Sequence, residues 1–203
     1  MQRIFTGLFL LFFAVLTNCA HHVPLREGFE LANPPDPKYD KRVLLVMPQE
    51  QAELVIRHTP DSPFADTYVF PGGPALKGTL LSVLGQIYAD TAFAFSFPED
   101  SSNYDLAIEV NFHSYDIVLN IYTGNIVTLG IDYRVRGKNG TIMTMPTKTA
   151  STDAYSGGDK ARALIFGAFS NIGKMKESSG AAWDQATANS VGMLLEKLLK
   201  LEG

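Results

Sequence analysis

Between Tyr104 and Thr147 the chain keeps a period of two, the spacing of a strand with one face buried and one wet. Leu106, Ile108, Val110 and Phe112 alternate with Ala107, Glu109, Asn111 and His113. Farther on the apolar set is Ile117, Leu119 and Ile121, so the parity has changed from even to odd. A period of two cannot change parity without an extra residue, which predicts a bulge or kink around His113 to Asp116. Thr123-Gly124-Asn125 turns the chain, and Val127, Leu129, Ile131, Tyr133 and Val135 form a second alternating strand with Thr128, Asp132 and Arg134 on its other face. Lys138-Asn139-Gly140 is a hairpin signal of the tight primed type, and Thr141 to Thr147 completes a three-strand antiparallel meander.

The flanking elements follow from shorter patterns. Val43-Leu44-Leu45-Val46-Met47 is an unbroken apolar run of the length expected for a central strand covered on both faces. Leu76, Leu80, Val83, Leu84 and Ile87 recur at helical spacing, with Pro74 in the first turn, and predict a helix to about Asp90. Phe93, Phe95 and Phe97 alternate with small residues, which predicts a short strand with one aromatic face, either core or a ligand surface. Residues 150–158 read as a polar loop and 159–174 as a helix. After an interruption at Ser178-Ser179-Gly180, Ala181 to Leu201 is a terminal helix with Val191, Leu194, Leu195, Leu198 and Leu201 on one face and Trp183 over the sheet edge. The expected fold class is α+β: a mostly antiparallel twisted sheet of about four to five strands with two or three helices packed on one face.

Ahead of all this stands Ile4 to Cys19, an apolar run that follows Arg3 and ends on the single cysteine. A positive start, an apolar centre and a polar exit describe a secretory signal, and the run is shorter than the ~20 residues that span a bilayer. Leu16-Thr17-Asn18-Cys19 resembles the lipobox of bacterial lipoproteins, although Asn18 stands where that family usually has Gly, Ala or Ser. The resemblance implies cleavage before Cys19, a lipid on its thiol and a membrane anchor, with an ordinary cleaved signal as the alternative. The expected organisation is a signal over residues 1–18, an acylated cysteine and Pro-rich tether over 19–41, and a periplasmic domain over 42–203 able to fold from about Arg42. One cysteine excludes an intramolecular disulfide. The formal net charge of −4, with no basic cluster, gives no reason to expect a nucleic-acid partner.

Catalytic signals are weak. Gly72 to Thr79 evokes a phosphate loop, but Lys77-Gly78-Thr79 has the wrong order for a lysine on the phosphates and the next hydroxyl on magnesium. His113, Ser114 and Asp116 are near in sequence, yet strand neighbours point to opposite faces, so His113 and Ser114 are not expected to meet. His21 and His22 are two adjacent imidazoles in the tether, too few for a metal site. No cofactor and no metal are expected, and no enzyme activity.

The order of strand, helix, short strand, meander and terminal helix behind a lipid anchor resembles small envelope lipoproteins: the YajG type, the lipopolysaccharide-assembly lipoprotein LptE and the amino-terminal domain of TolB. The likeness is carried by Val43-Leu44-Leu45-Val46, the Leu76 to Ile87 helix and the kinked Ile108 to Tyr122 strand leading to Lys138-Asn139-Gly140. It implies a binding or assembly module with an envelope protein or lipid partner. Ala20 after the cysteine, where that family uses aspartate for inner-membrane retention, implies the periplasmic face of the outer membrane. A carrier or sensor of an apolar, lipid-like ligand is the alternative, and an envelope hydrolase is the third reading. Tyr115 and Tyr122, at the kink and the turn, are the first candidates for partner contacts, because a tyrosine covers apolar area while its hydroxyl stays wet.

Overall fold

The computed structural model describes residues 20–60, 66–98, 103–120, 124–153 and 172–202. These form strands β1 (Ala20–His22), β2 (Tyr39–Val46), β3 (Ile56–His58), β4 (Thr67–Phe70), β5 (Tyr88–Ala94), β6 (Leu106–Val118), β7 (Asn125–Gly137) and β8 (Gly140–Asp153). The helices are α1 (Gln49–Ala52), α2 (Gly72–Ile87) and α3 (Ile172–Glu202). The class is α+β, as expected. The sheets are mixed: a five-stranded sheet runs β5-β2-β6-β7-β8, and a small one runs β1-β4-β3. β2 pairs in parallel with both β5 and β6, whereas β6, β7 and β8 are the antiparallel meander. The parallel pairing explains the unbroken run in β2. Val43, Leu45 and Met47 face the helices, while Leu44 and Val46 join Ala107 in a second apolar cluster on the opposite side.

The parity switch in β6 is a bulge: Phe112 pairs with Ile131 and Ser114 with Gly130, leaving His113 as the extra residue. Gln51 of α1 supports the site, accepting the Phe112 N–H at 2.7 Å and donating to Asn111. The hairpin at Gly137–Gly140 lies where the sequence places it, but only Gly140 takes positive φ, 117°, so the paired positive φ of a primed turn is absent. β5 ends at Ala94, earlier than the phenylalanine alternation suggests. Phe93 packs on the main core, Phe95 meets it edge-on at 5.1 Å, and Phe97 lies in the second cluster, so the three rings do not share a face. β8 continues to Asp153 through part of the expected polar loop, and the rest of that loop and most of the helix expected over 159–174 lie outside the described residues.

α3 is continuous from Ile172, with no break at Ser178-Ser179-Gly180. The small residues there serve close approach instead. A Cβ on Gly180 would lie 2.6 Å from the Pro24 carbonyl, and Ser178 Oγ donates to the Asp153 carbonyl at 3.2 Å. One turn on, Trp183 is fully buried between Phe70 of the small sheet (ring centroids 5.8 Å, 28°) and Phe112 of the large one (6.0 Å, 12°), with Gly72 against the indole edge. It joins both sheets and two helices, where the sequence suggested only an edge cover.

Farther along α3, a hydroxyl relay crosses the core. Thr147 Oγ1 donates to the Ile131 carbonyl at 2.9 Å and lies 2.7 Å from Ser190 Oγ, which lies 3.0 Å from Tyr133 Oη. Because Thr147 spends its one proton on the carbonyl, Ser190 must donate to Thr147 and Tyr133 to Ser190. Burial pushes the Tyr133 hydroxyl pKa well above the ordinary tyrosine value, which keeps it a donor.

The segment expected to be a tether is part of the domain. β1 pairs in parallel with β4, Val23 is 1% exposed, and its N–H donates to the Val69 carbonyl at 2.9 Å. Beyond it the Arg26 N–H reaches Asp184 of α3 at 3.0 Å, Gln86 of α2 bonds both Phe29 and Leu31, and Leu25, Phe29 and Leu31 pack on the core. Polar composition and four prolines concealed this, because the apolar residues follow no period.

Two outcomes are expected in urea unfolding. A chain starting at Arg42 will have a lower midpoint than one starting at Ala20, since it lacks β1 and the strap over both helices. Ser190→Ala will cost about 1–3 kcal/mol, because it leaves the buried Tyr133 hydroxyl without an acceptor, and Tyr133→Phe will cost less, because Ser190 still donates to Thr147.

Candidate functional site

With α2 and α3 on one face, the other face of the large sheet is open among the described residues, and its side chains divide into three zones. At the β5-β2 side lies the cluster of Leu44, Val46 and Ala107, flanked by Ala92, Ala94, Phe97 and Tyr104. Its rim is cationic. The Arg136 guanidinium sits 4.8 Å from the Phe97 ring centre and the Arg42 guanidinium 5.7 Å from that of Tyr104. The middle zone is an ion-pair ladder in which Glu109 meets Arg136 at 2.7 Å and Arg134 at 3.5 Å.

Next to the ladder stands a histidine–carboxylate pair, His113 Nδ1 to Asp132 Oδ1 at 3.4 Å. Here the bulge overturns the expectation that His113 and Ser114 point apart. A Cβ on Gly130 would collide with both Ser114 Oγ and His113 Nε2, so the two side chains lean over the same glycine. An extra residue cancels the alternation that normally separates neighbours. Ser114, His113 and Asp132 are thus gathered on one patch, while Asp116, the carboxylate suggested by proximity in sequence, is not the one that pairs with the imidazole. Asp132 was missed because it sits on the neighbouring strand, and the register that brings it over exists only in the paired sheet. The imidazole and the carboxylate are 39% and 41% exposed. Water at that level screens the charges an acyl-transfer site would need to focus.

The third zone is the end of the β6–β7 hairpin. Val118 and Ile126 are directly cross-strand and are 43% and 37% exposed. Tyr115 is 49% exposed on the other face of the hairpin, its ring 6.3 Å from Phe112. Tyr122 and Cys19 lie outside the described residues. The hairpin end is closed by Asn125, which accepts the Asn120 N–H at 3.1 Å and donates to the Met175 carbonyl at 3.2 Å.

On the helical side, a cavity of about 550 Å³ opens between the strap and α3, lined among others by Leu25, Phe29, Thr79, Asp184, Thr187 and Ala188. Burial raises the Asp184 carboxyl above the ordinary aspartate range, against the opposing pull of the Arg26 N–H and guanidinium. Lys77, the lysine of the phosphate-loop lookalike, places its ammonium 5.3 Å from the Phe93 ring centre, and Gly73 abuts the Gln51 carbonyl, so Gly72 to Thr79 is a helix entry packed on protein. His21 Nε2 lies 3.0 Å from Asp66, and among the described residues no group of three or more metal-ligating side chains occurs. No described helix is long and apolar enough to cross a membrane.

No family model matches the chain, and no curated protein matches it. Among solved structures, protein XCC0632 from Xanthomonas campestris, described under family DUF330, superposes with a TM-score of 0.56 at 10% identity, over 91% of this chain and 99% of that one. Protein CT253 from Chlamydia trachomatis gives 0.40 at 9% identity over 76% and 95%. Lipoprotein GNA1162 from Neisseria meningitidis gives 0.32 at 11% identity over 66% and 99%. The first of these has the same fold as this chain.

The raised Asp184 pKa sets the sign of a pH effect. The folded state holds this proton more tightly than the unfolded chain, so the contribution is full below about pH 3.9 and is lost as pH rises through the folded-state value. Asp184→Asn keeps an acceptor for the Arg26 N–H and should flatten that fall, leaving the variant at least as stable as the parent at neutral pH. Thermal unfolding across acid to neutral pH checks it.

Proposed function

We propose that this protein is a lipid-anchored envelope protein, held by Cys19 at the periplasmic face of the outer membrane, whose domain acts as a binding or assembly module. One observation carries the reading: the apolar, signal-like run that follows Arg3 ends on the single cysteine of the chain, in the order Leu16-Thr17-Asn18-Cys19. The chemistry left for the domain is recognition. The open sheet face offers a row of exposed charges beside cation-capped aromatic rings, which suits a polar partner surface read by complementary charge. The His113–Asp132 pair belongs to that face as a recognition element.

A second reading, a carrier of a small lipid-like ligand, is favoured by the cavity under the strap, whose volume is within the range of small-molecule sites. Its lining alternates Leu25 and Phe29 with Thr187 and Asp184, as an amphiphile with a polar head would require. Ala188→Trp, which fills that space, would abolish binding of a fluorescent lysophospholipid if this reading holds and leave it unchanged otherwise.

The anchor is tested by growth with labelled fatty acid. Label should enter the wild-type protein and be lost in Cys19→Ser, which should also fail to sediment with membranes. Label in both would remove the anchor. Turnover of an envelope substrate by the purified domain, abolished by His113→Ala, would replace the binding module with an enzyme.

A further inference from the structure

We infer, resting on the reading of the cavity under the strap as a ligand seat, that this seat selects a single-chain amphiphile with a cationic, hydrogen-bond-donating head, an alkylammonium, and that Asp184 and Thr187 read the head. The cavity has a wall for each part of such a molecule. Leu25 and Phe29 of the strap supply the apolar side, and Ala181 and Ala188 leave room on the facing side of α3. From Glu177 to Ala188, both in the lining, the helix rises about 16 Å, so the space suits an extended chain better than a compact molecule.

Among the described residues of the lining, Asp184 is the charged side chain that is withdrawn from water. It is 22% exposed, against 83% for Arg26 and 70% for Glu177, which already meets Lys174 at 3.5 Å. Asp184 Oδ1 accepts the Arg26 N–H at 3.0 Å. Oδ2 lies 3.8 Å from Arg26 Nε, beyond hydrogen-bond length, so one oxygen of a poorly solvated carboxylate is left to accept. Thr187, three residues on and therefore a neighbour on the surface of α3, lines the cavity too. It is 4% exposed, and its Oγ1 has no hydrogen-bond partner among the described residues. A buried hydroxyl without a partner is costly, and a helical threonine has two accessible χ1 rotamers, so this group can turn to a ligand at little expense.

These two groups select by charge as well as by hydrogen bonding. A carboxylate or phosphate head would bring a second anion beside a carboxyl that burial already holds above the ordinary aspartate range. A hydroxyl head donates to Oδ2 but leaves the charge uncompensated. An ammonium does both, with three protons to share between Asp184 Oδ2 and Thr187 Oγ1. The other charged groups of the lining around Asp184 are Arg26 from the strap and Glu177 from its own helix, while α2 contributes the uncharged Thr79. An alkylammonium, like a lysine, stays charged well into alkali. Its affinity should therefore follow the ionisation of Asp184 and fall as pH drops through the folded-state value of that carboxyl, whereas the affinity of an alcohol should not.

The test titrates full-length protein in lipid nanodiscs, with protein-free nanodiscs as the blank, against octylamine, octanol and octanoate, which share one body and differ in the head. At neutral pH octylamine should bind about tenfold more tightly than octanol, the gain of one charge-assisted hydrogen bond, and octanoate should bind most weakly. Asp184→Asn, which keeps an acceptor for the Arg26 N–H, should bring octylamine and octanol level and remove the pH dependence. Thr187→Val should lower the affinity for octylamine without lowering the unfolding midpoint, because the hydroxyl it removes has no partner among the described residues. A lower midpoint with unchanged affinity would overturn the two-point seat. Three probes that bind alike, or octanoate bound most tightly, with all of them blocked by Ala188→Trp, would overturn the selectivity and leave the cavity a ligand site. Binding of none of the probes, or binding untouched by Ala188→Trp, would remove the carrier reading and this inference with it.

Discussion

The structure depends on the stacking of Trp183 between Phe70 and Phe112. Each ring comes from a different layer: Phe70 from the small sheet, Phe112 from the large sheet one residue before the bulge, and the indole from the long terminal helix. Without that wedge the small sheet would have little to hold it, since its three short strands present few apolar side chains of their own. Truncating a buried tryptophan to alanine typically costs about 3–5 kcal/mol, a large part of the stability of a domain this size. Gly72 is required beside it for the same reason, as a side chain there would occupy the space of the indole edge.

Through the small sheet, the wedge also governs the amino-terminal segment. β1 is ordered because β4 is held by Phe70, and the strap that follows β1 is ordered because Gly180 lets the backbone at Pro24 approach α3. What composition describes as a spacer is thereby part of the folded domain.

The bulge at His113 has the complementary effect on the open face. An extra residue between Phe112 and Ser114 keeps the apolar set facing the helices on both sides of the interruption, at the cost of placing two polar side chains together over Gly130. The patch of Ser114, His113 and Asp132 is therefore a consequence of how β6 continues its buried face. Gln51 satisfies the Phe112 N–H beside the bulge, which ties this part of the sheet to the short helix after β2.

The sequence by itself determined the elements whose periodicity is long and local: β6 with its parity switch, β7, the hairpin at Gly140, the body of α2 and the second half of α3. It also showed the apolar run ending on Cys19, because a continuous run needs no partner to be read. The tertiary structure decided what depends on pairing at a distance. β2 and β5 are short runs whose direction is set by a neighbour, so only the folded sheet makes them parallel. The strap over residues 23–31 carries single apolar side chains at irregular intervals, and only α2 and α3 reveal which of them are buried. Asp132 reaches His113, and Val118 reaches Ile126, through a register between strands that neither strand encodes alone. Periodicity records which side of an element is apolar, and the pairing of elements then selects which residues meet.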